Sequence, residues 1–199
     1  MFQRSVASIC LANLDKSDSN FKHRSGGLTK YKSFLFAIGG FDSSPKSEIM
    51  EREKNGTYIW SEIKSDFEFF GVGHSLVTVP PSDINEEYVL LIGGMVMDSF
   101  STLKNVYKFN GTWFYFGTLN SPRSDHSSIY WNGAVYVIGG LPDSSDYETA
   151  SLMHLETKME IWKIKDSPDQ FKTTENWPEL NGWSRPHLFI VPDTFFPDY

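Results

Sequence analysis

Histidines that recur along the chain are the first candidates for chemistry in this sequence. His74, His126 and His187 follow one another after 52 and 61 residues, and each precedes an apolar run. Imidazole can bind a metal or transfer a proton near neutral pH. Residues that recur at such distances are expected to be spread around a fold rather than gathered on one ion. We therefore predict that each starts a strand and hydrogen-bonds to a neighbouring turn, and we predict no metal site.

Other reactive side chains form no catalytic pattern. The serine pairs Ser43-Ser44 and Ser144-Ser145 are typical of turns, and no base stands near them to activate a nucleophile. Three cationic residues, Arg123, His126 and Arg185, are the recurring candidates for an active site, and packing explains them equally well. No phosphate loop, zinc-binding spacing or dinucleotide motif is present. The sequence predicts a protein that is not an enzyme and uses no cofactor.

The charge balance argues against nucleic-acid binding. The formal net charge is −7 and the sequence pI is about 5.2, whereas nucleic-acid binding needs a basic surface that displaces counterions. No apolar run approaches the roughly 20 residues that span a bilayer. We predict neither nucleic acid nor membrane as a partner.

A single cysteine indicates the compartment. Cys10 cannot form a disulfide within the chain, which favours a reducing compartment and predicts a cytoplasmic protein. Secretion is the alternative, because Met1–Ala12 contains one Arg and an apolar core of about seven residues, the minimum for a signal peptide. Two glycosylation motifs, Asn55-Gly56-Thr57 and Asn110-Gly111-Thr112, would then be acceptors, although turn formation also explains them.

Three apolar runs that end in paired glycines reveal an internal repeat. The pairs are Gly39-Gly40, Gly93-Gly94 and Gly139-Gly140, separated by 54 and 46 residues. Aromatic residues make up 16% of the chain, which favours β-structure. Repeats with a period near 50 residues are typical of stacked architectures. The sequence predicts an all-β repeat protein in which paired glycines let backbones crowd together.

Tryptophans mark the same repeat. Trp60, Trp113 and Trp162 come 20, 19 and 22 residues after the glycine pairs. We predict that they occupy equivalent positions and pack each unit against its neighbour. The histidines follow them after 14, 13 and 25 residues, and the longer last interval predicts an insertion within Asp166–Trp183.

Each unit is predicted to contain four short strands. Those of the middle unit are Gly73–Val79, Tyr88–Gly94, Lys104–Phe109 and Thr112–Gly117. Asn-Gly pairs between apolar runs predict type I′ turns, which need positive φ at both central residues. These pairs are Asn55-Gly56, Asn110-Gly111 and Asn132-Gly133.

These features resemble the kelch repeat of β-propellers. The resemblance rests on the glycine pairs, on Tyr107 six residues before Trp113, and on Arg123-Ser124-Asp125-His126 leading into a strand. Where Tyr107 stands in the middle unit, the first unit offers Glu51-Arg52-Glu53 and the third offers His154. The resemblance implies four-stranded blades whose glycine pairs end inner strands near a central channel.

The fold prediction is an open arc of a kelch-type β-propeller, with about three four-stranded antiparallel blades and an extra strand. Residues 1–20 would be an N-terminal strand or ragged segment, and residues 21–199 the partial propeller. The predicted blades are 21–65, 71–118, 123–166 and the start of a fourth at 185–199. Closed propellers have about four to eight blades. The arc would therefore belong to a longer protein, self-associate, or use Arg4–Leu14 to cover one end.

The predicted function is to bind another protein through blade loops. Loops of varied sequence on a repeated frame are the reason for this prediction. The candidate loops are Phe41–Lys46, Met95–Thr102, Leu141–Tyr147 and Ser121–Asp125. The candidate contact residues are Asp42, Met95, Asp98, Asp125, Asp143 and Asp146.

The resemblance to kelch proteins implies two kinds of partner, actin or a substrate of a ubiquitin ligase. Two other functions stay open. One is a sugar-active propeller enzyme, an oxidase or epimerase, although the copper oxidases crosslink a Tyr to a Cys and Cys10 lies outside the repeats. The other is an extracellular adhesion protein bearing glycans at Asn55 and Asn110.

Overall fold

The computed structural model describes residues 23, 26–40, 45–83, 85–142, 160–163 and 172–173. Within these ranges every regular element is a β-strand, which confirms the all-β prediction. The strands are numbered β1–β15 in chain order. Cys10, His154, His187 and the segments 1–20 and 185–199, for which predictions were made, lie outside the described residues.

Two complete four-stranded antiparallel sheets occupy the first two units. The first sheet contains β1 Gly27–Tyr31, β2 Phe34–Ile38, β3 Ser47–Arg52 and β4 Tyr58–Glu62, in that order. The second sheet contains β6 Ser75–Val79, β7 Tyr88–Ile92, β10 Asn105–Phe109 and β11 Trp113–Thr118, again in chain order. The strands predicted for the middle unit are confirmed to within two residues.

A small three-stranded sheet flanks the second one. It contains β5 Gly71–Val72, β8 Met95–Val96 and β9 Ser101–Thr102. The segment after Gly93-Gly94, predicted as a loop, therefore forms a short hairpin that pairs with the strand preceding β6.

The third sheet differs from its predicted form. It contains β12 Ser127–Trp131, β13 Ala134–Ile138, β14 Glu160–Lys163 and β15 Lys172–Thr173. Trp162 pairs with Val135 on the third strand, whereas Trp60 and Trp113 stand on fourth strands. The predicted equivalence of Trp162 is therefore wrong. The fourth strand falls inside Asp166–Trp183, the stretch predicted to be an insertion, so the sheet runs past residue 166.

The three sheets stack face to face, and the second lies between the other two. Its β7 is apolar at every position because both of its faces are covered. Val89 and Leu91 face the first sheet, and Leu90 and Ile92 face the third. The buried residues between the first and second sheets are Tyr31, Phe36, Ile38, Phe69, Val89, Leu91 and Phe109. Those between the second and third are Val77, Val79, Tyr88, Leu90, Ile92, Val106, Leu119, Val135 and Val137.

The first strands of the sheets lie next to one another, since β1 and β12 both contact β6. The fourth strand of each sheet stands at the opposite edge. Each sheet therefore runs outwards from a common inner region.

The Asn-Gly turns have two different geometries. At Asn132-Gly133 both residues have positive φ, +47° and +78°, as a type I′ turn requires. At Asn55-Gly56 and Asn110-Gly111 only the glycine does, with φ of +91° and +115°. The type I′ prediction is therefore wrong for those two turns, because their loops are longer than two residues and place the positive φ on glycine alone.

Candidate functional site

The antiparallel order gives the stacked sheets two distinct sides. Segments that follow second strands and segments that connect successive sheets lie together. We call this the glycine side, and its described segments are 39–40, 45–46, 63–74, 93–104, 119–126 and 139–142. The opposite turn side carries the turns within sheets, 32–33, 53–57, 80–83, 85–87, 110–112 and 132–133.

His74 joins the first two sheets on the glycine side. Its Nε2 donates to the carbonyl of Ile38, 3.0 Å away, so the bond reaches the last residue of β2 instead of the neighbouring turn that the sequence predicts. A Cβ added to Gly39 would lie 2.7 Å from Cε1 of His74, and one added to Gly94 would lie 2.9 Å from its Cβ. The ring thus occupies space that only glycine leaves open on both sides.

His126 repeats this arrangement between the second and third sheets. Its Nε2 lies 2.8 Å from Oγ of Ser75 in the second sheet. A Cβ on Gly93 would lie 2.9 Å from Cε1 of His126, and one on Gly140 would lie 2.8 Å from its Cβ. The third pair requires glycine for two reasons. Gly140 lies against His126, and Gly139 and Gly140 have positive φ values of +73° and +98°.

Both histidines are held neutral by burial. Desolvation lowers the pKa of His74 from 6.5 to about 4, although the bond to Ile38 opposes the shift. Desolvation also lowers the pKa of His126 to about 3, and the positive charge of Arg123 adds to the effect. Because a carbonyl oxygen only accepts, His74 carries its hydrogen on Nε2. These rings act as hydrogen-bonding wedges between sheets.

A buried ion pair fixes the connector between the second and third sheets. Nη2 of Arg123 donates to Oε1 of Glu160 at 2.8 Å, and both side chains are fully buried. Nη1 of Arg123 donates to the carbonyl of Gly139 at 2.9 Å. Oε2 of Glu160 accepts from the backbone N–H of Asn120 at 2.6 Å, and Oε1 accepts from that of Ser121 at 3.2 Å. The candidate loop Ser121–Asp125 is therefore rigid.

An equivalent pair stands in the first sheet. Nε2 of His23 lies 2.9 Å from Oε2 of buried Glu48, and its Nδ1 lies 2.8 Å from the carbonyl of Gly39. Register shows that Glu48 and Glu160 are the counterparts of Tyr107. Each of the three pairs with the residue two positions before a glycine pair. The predictions that Glu51-Arg52-Glu53 fills the tyrosine position of the first unit and that His154 fills that of the third are therefore wrong.

Trp113 packs between the first and second sheets, as the sequence predicts. Its ring stacks on Phe67 at 4.9 Å between centroids and meets the edge of Phe36 at 5.8 Å. Its Nε1 donates to Oγ of Ser47 in the first sheet, 3.0 Å away. Tyr107 lies in the same contact, 4.9 Å from Phe67.

Trp60 faces away from the second sheet. It pairs with Met50 on β3, and the neighbouring Ile49 packs into the core shared with the second sheet. Alternation along the strand therefore puts Trp60 on the outer face, where its ring lies 6.4 Å from that of His23. No other sheet among the described residues covers that face.

The candidate contact residues differ in their exposure to solvent. Met95 is 5% exposed, so its side chain belongs to the core and is not available to a partner. Asp98 is exposed at the tip of the β8–β9 hairpin. Asp125 is half-buried, and its N–H donates to the carbonyl of Gly73 at 2.7 Å. Asp42, Asp143 and Asp146 lie outside the described residues.

An apolar row beside Asp98 was not predicted. Gly71 pairs with Val96, and Val96 pairs with Ser101, so residues 70, 97 and 100 lie directly beyond the last paired positions at one end of the small sheet. Phe70 is 60% exposed and Phe100 is 50% exposed, and Met97 between them is half-buried. We call these three residues the apolar row. One feature of the sequence could have indicated this row. Phe70 stands directly before Gly71 and does not belong to a strand with alternating apolar and polar residues.

The described residues contain no group of three or more His, Cys, Asp or Glu placed to hold a metal ion. In the same part of the chain, no helix has the length and hydrophobicity that crossing a lipid bilayer requires.

Comparison with known proteins supports the fold. No family model matches the sequence. No curated protein matches it. Among solved structures, 154 chains match. One, described as the structure of YjhT, superposes with a TM-score of 0.64 at 12% identity. That match covers 83% of this chain and 54% of the other, so this chain spans about half the length of the structure it matches.

Proposed function

We propose that this chain is an arc of a kelch-type β-propeller and a non-catalytic module that binds another protein through its glycine side. The propeller assignment is supported by four-stranded sheets in chain order, stacked face to face with their first strands innermost. The glycine pairs and the histidines wedged between them recur at the inner ends of the sheets. The proposed partner is a protein, with actin or a ubiquitin-ligase substrate as the kinds that the kelch resemblance suggests.

The observation that carries the proposal is the apolar row. Its two phenylalanines are 60% and 50% exposed, and aromatic side chains that are grouped on a surface are typical anchors in protein interfaces. Asp98 stands at the tip of the same hairpin. The row therefore offers an apolar contact next to a negative charge, which favours a partner with an apolar side chain beside a basic one.

The support beneath the row is rigid. Backbone N–H groups of Gly40 and Leu103 donate to the carbonyls of Gly71 and Gly94, at 3.0 and 2.7 Å. Buried Met95 anchors the hairpin from below. A surface that is ordered before binding loses little conformational entropy on association.

A differential crosslinking experiment tests the proposal. The full chain and two double variants would be used as baits in cells, with a separate co-sedimentation assay on actin filaments. One variant combines Phe70→Ser with Phe100→Asn, because Asn tolerates the positive φ of +52° at position 100. The control combines Tyr115→Ser with Trp131→Ser, which are 59% and 52% exposed and lie outside the glycine side.

The expected result is a partner that the wild type and the control capture and that the glycine-side variant loses. Far-ultraviolet circular dichroism would check that all three chains keep their β-structure. Equal capture by all three chains would remove the apolar row as the binding surface.

A further inference from the structure

Two turns on the turn side carry a pattern that protein binding through the glycine side does not use. Asn55-Gly56-Thr57 joins β3 to β4, and Asn110-Gly111-Thr112 joins β10 to β11. The two turns are therefore equivalent in the first and second sheets. The asparagine and the threonine are exposed in both. Asn-X-Thr is the acceptor pattern for an N-linked glycan.

The positive φ of a type I′ turn does not explain why asparagine stands at these positions, although the side chain of Asn55 does accept a hydrogen bond from the backbone of Thr57. A type I′ turn selects asparagine because its first central residue has positive φ. That condition holds at Asn132, where φ is +47°, and the residue two positions later is Ala134 instead of a hydroxyl residue. It fails at Asn55 and Asn110, where only the following glycine has positive φ. The acceptor pattern is present at the two turns whose asparagine does not adopt positive φ, and it is absent at the turn whose asparagine does.

The Asn55 turn also presents its amide in an ordered geometry. Oδ1 of Asn55 accepts from the backbone N–H of Thr57 at 2.8 Å and from its Oγ1 at 2.7 Å. Nδ2 of Asn55 donates to Oε2 of Glu53 at 3.2 Å. Hydrogen bonds to an amide oxygen draw electron density from the nitrogen, which makes its N–H more acidic. The threonine of the motif is therefore in direct contact with the amide that would be modified.

Both sites have room for a large substituent. No heavy atom lies within 4 Å of a Cβ added to Gly111. Asn55 borders an open depression of about 490 Å³. The buried apolar residues that join the sheets lie on the sheet faces and not in these two turns.

We propose that Asn55 and Asn110 are N-glycosylation sites and that Asn132 is not one. The donor would be a lipid-linked oligosaccharyl diphosphate. The bond between the sugar C1 and the diphosphate oxygen breaks, the bond between C1 and Nδ2 forms, and the amide loses one proton as the diphosphate leaves. No electrons are transferred. The proposal places the chain in the secretory pathway, the alternative to the cytoplasmic prediction, and it does not depend on the proposed partner surface.

The position of the two sites has a consequence for binding. Both lie on the turn side, opposite the apolar row. Glycans there would shield the turns from other proteins while leaving the glycine side accessible.

The test is expression of the full chain behind a cleavable secretory leader in a eukaryotic cell. Two electrophoretic mobility steps are expected, and both should disappear on treatment with an amidase that releases N-glycans. Asn55→Gln and Asn110→Gln should each remove one step. Asn132→Gln is the matched control in an exposed Asn-Gly turn, and it should remove none.

A second pair of variants keeps the asparagines. Thr57→Val and Thr112→Val should each remove the same step as the corresponding asparagine variant, and peptide mass spectrometry should locate the remaining glycan. The proposal is overturned if the wild type stays unmodified, or if the valine variants keep both steps.

Discussion

Mild acid should destabilise this protein through its two buried histidines. His74 and His126 stand between sheets and stay neutral because burial lowers their pKa values to about 4 and about 3. In the unfolded chain each imidazole would titrate near 6.5. The unfolded state therefore binds more protons than the folded state between pH 6.5 and the folded pKa values. Stability is complete above pH 6.5 and falls as the pH drops through this window.

The expected loss of unfolding free energy follows from the difference between the experimental pH and the unfolded pKa of 6.5. At pH 5 the unfolded imidazoles are almost fully protonated and the folded ones almost fully neutral. Each histidine then costs about 2 kcal/mol, since one pKa unit corresponds to about 1.4 kcal/mol. The pair costs about 4 kcal/mol, compared with about 5–15 kcal/mol for the total stability of a typical domain.

Urea unfolding followed by tryptophan fluorescence at pH 7.5 and at pH 5 would measure this loss. His74→Gln and His126→Gln are the variants of choice, because glutamine can still donate a hydrogen bond and does not titrate. Each should be less stable than wild type at pH 7.5, yet each should reduce the loss between the two pH values by about 2 kcal/mol. The other histidines are present in all three chains, so their contribution cancels.

Titration of the histidine ring signals by nuclear magnetic resonance gives an independent reading. Two ring signals should stay unchanged between pH 7.5 and pH 5. If all ring signals titrate near 6.5, or if both glutamine variants lose as much stability as wild type on acidification, the burial argument is wrong.

Three further predictions concern the contacts between sheets. Trp113→Ala should cost about 3–5 kcal/mol in urea unfolding. Ser47→Ala should cost about 1 kcal/mol in wild type and nothing measurable in the Trp113→Ala background, and an equal cost in both would contradict the hydrogen bond between them. Glu160→Gln should cost about 3–5 kcal/mol because it leaves a buried guanidinium without a counter-charge, and hydrogen exchange should accelerate in residues 119–126. A loss below about 1 kcal/mol would argue against the pair. Gly93→Ala should cost more than Gly111→Ala, since both have positive φ but only the first places a Cβ 2.5 Å from a backbone oxygen. Equal melting temperatures for these two variants would show that φ alone matters.

The sequence predicts the regular parts of this fold well because they depend on local chemistry. Paired glycines mark backbone crowding, and alternating apolar residues mark strands, so the four strands of the second sheet were placed within two residues. Distances along the chain failed where the number of residues between two paired strands differs from one sheet to the next. The segment between β2 and β3 spans residues 39–46, whereas that between β13 and β14 spans 139–159. Counting from Gly140 therefore assigned Trp162 to the fourth strand when it stands on the third.

Residue counts also failed to reveal that two buried carboxylates are equivalent. Glu48 and Glu160 occupy one structural position, yet they stand 9 and 21 residues after the first glycine of their pairs. Their partners also differ, since His23 serves the first and Arg123 the second. Only the pairing register relates the two positions, and register is a tertiary property that no spacing in the sequence encodes.

The two sides of the molecule meet different physical demands, and this difference connects the two proposals. On the glycine side, His74 donates to the carbonyl of Ile38 in the neighbouring sheet, and Arg123 binds Glu160 and the carbonyl of Gly139. These contacts hold the backbone of that surface in place. Exposed side chains such as Phe70 take no part in them. On the turn side, the loops around Asn55 and Asn110 make hydrogen bonds within their own hairpins. A bulky modification there disturbs no contact between sheets, whereas one on the glycine side would. Protein binding on the glycine side and glycans on the turn side are therefore compatible in one chain.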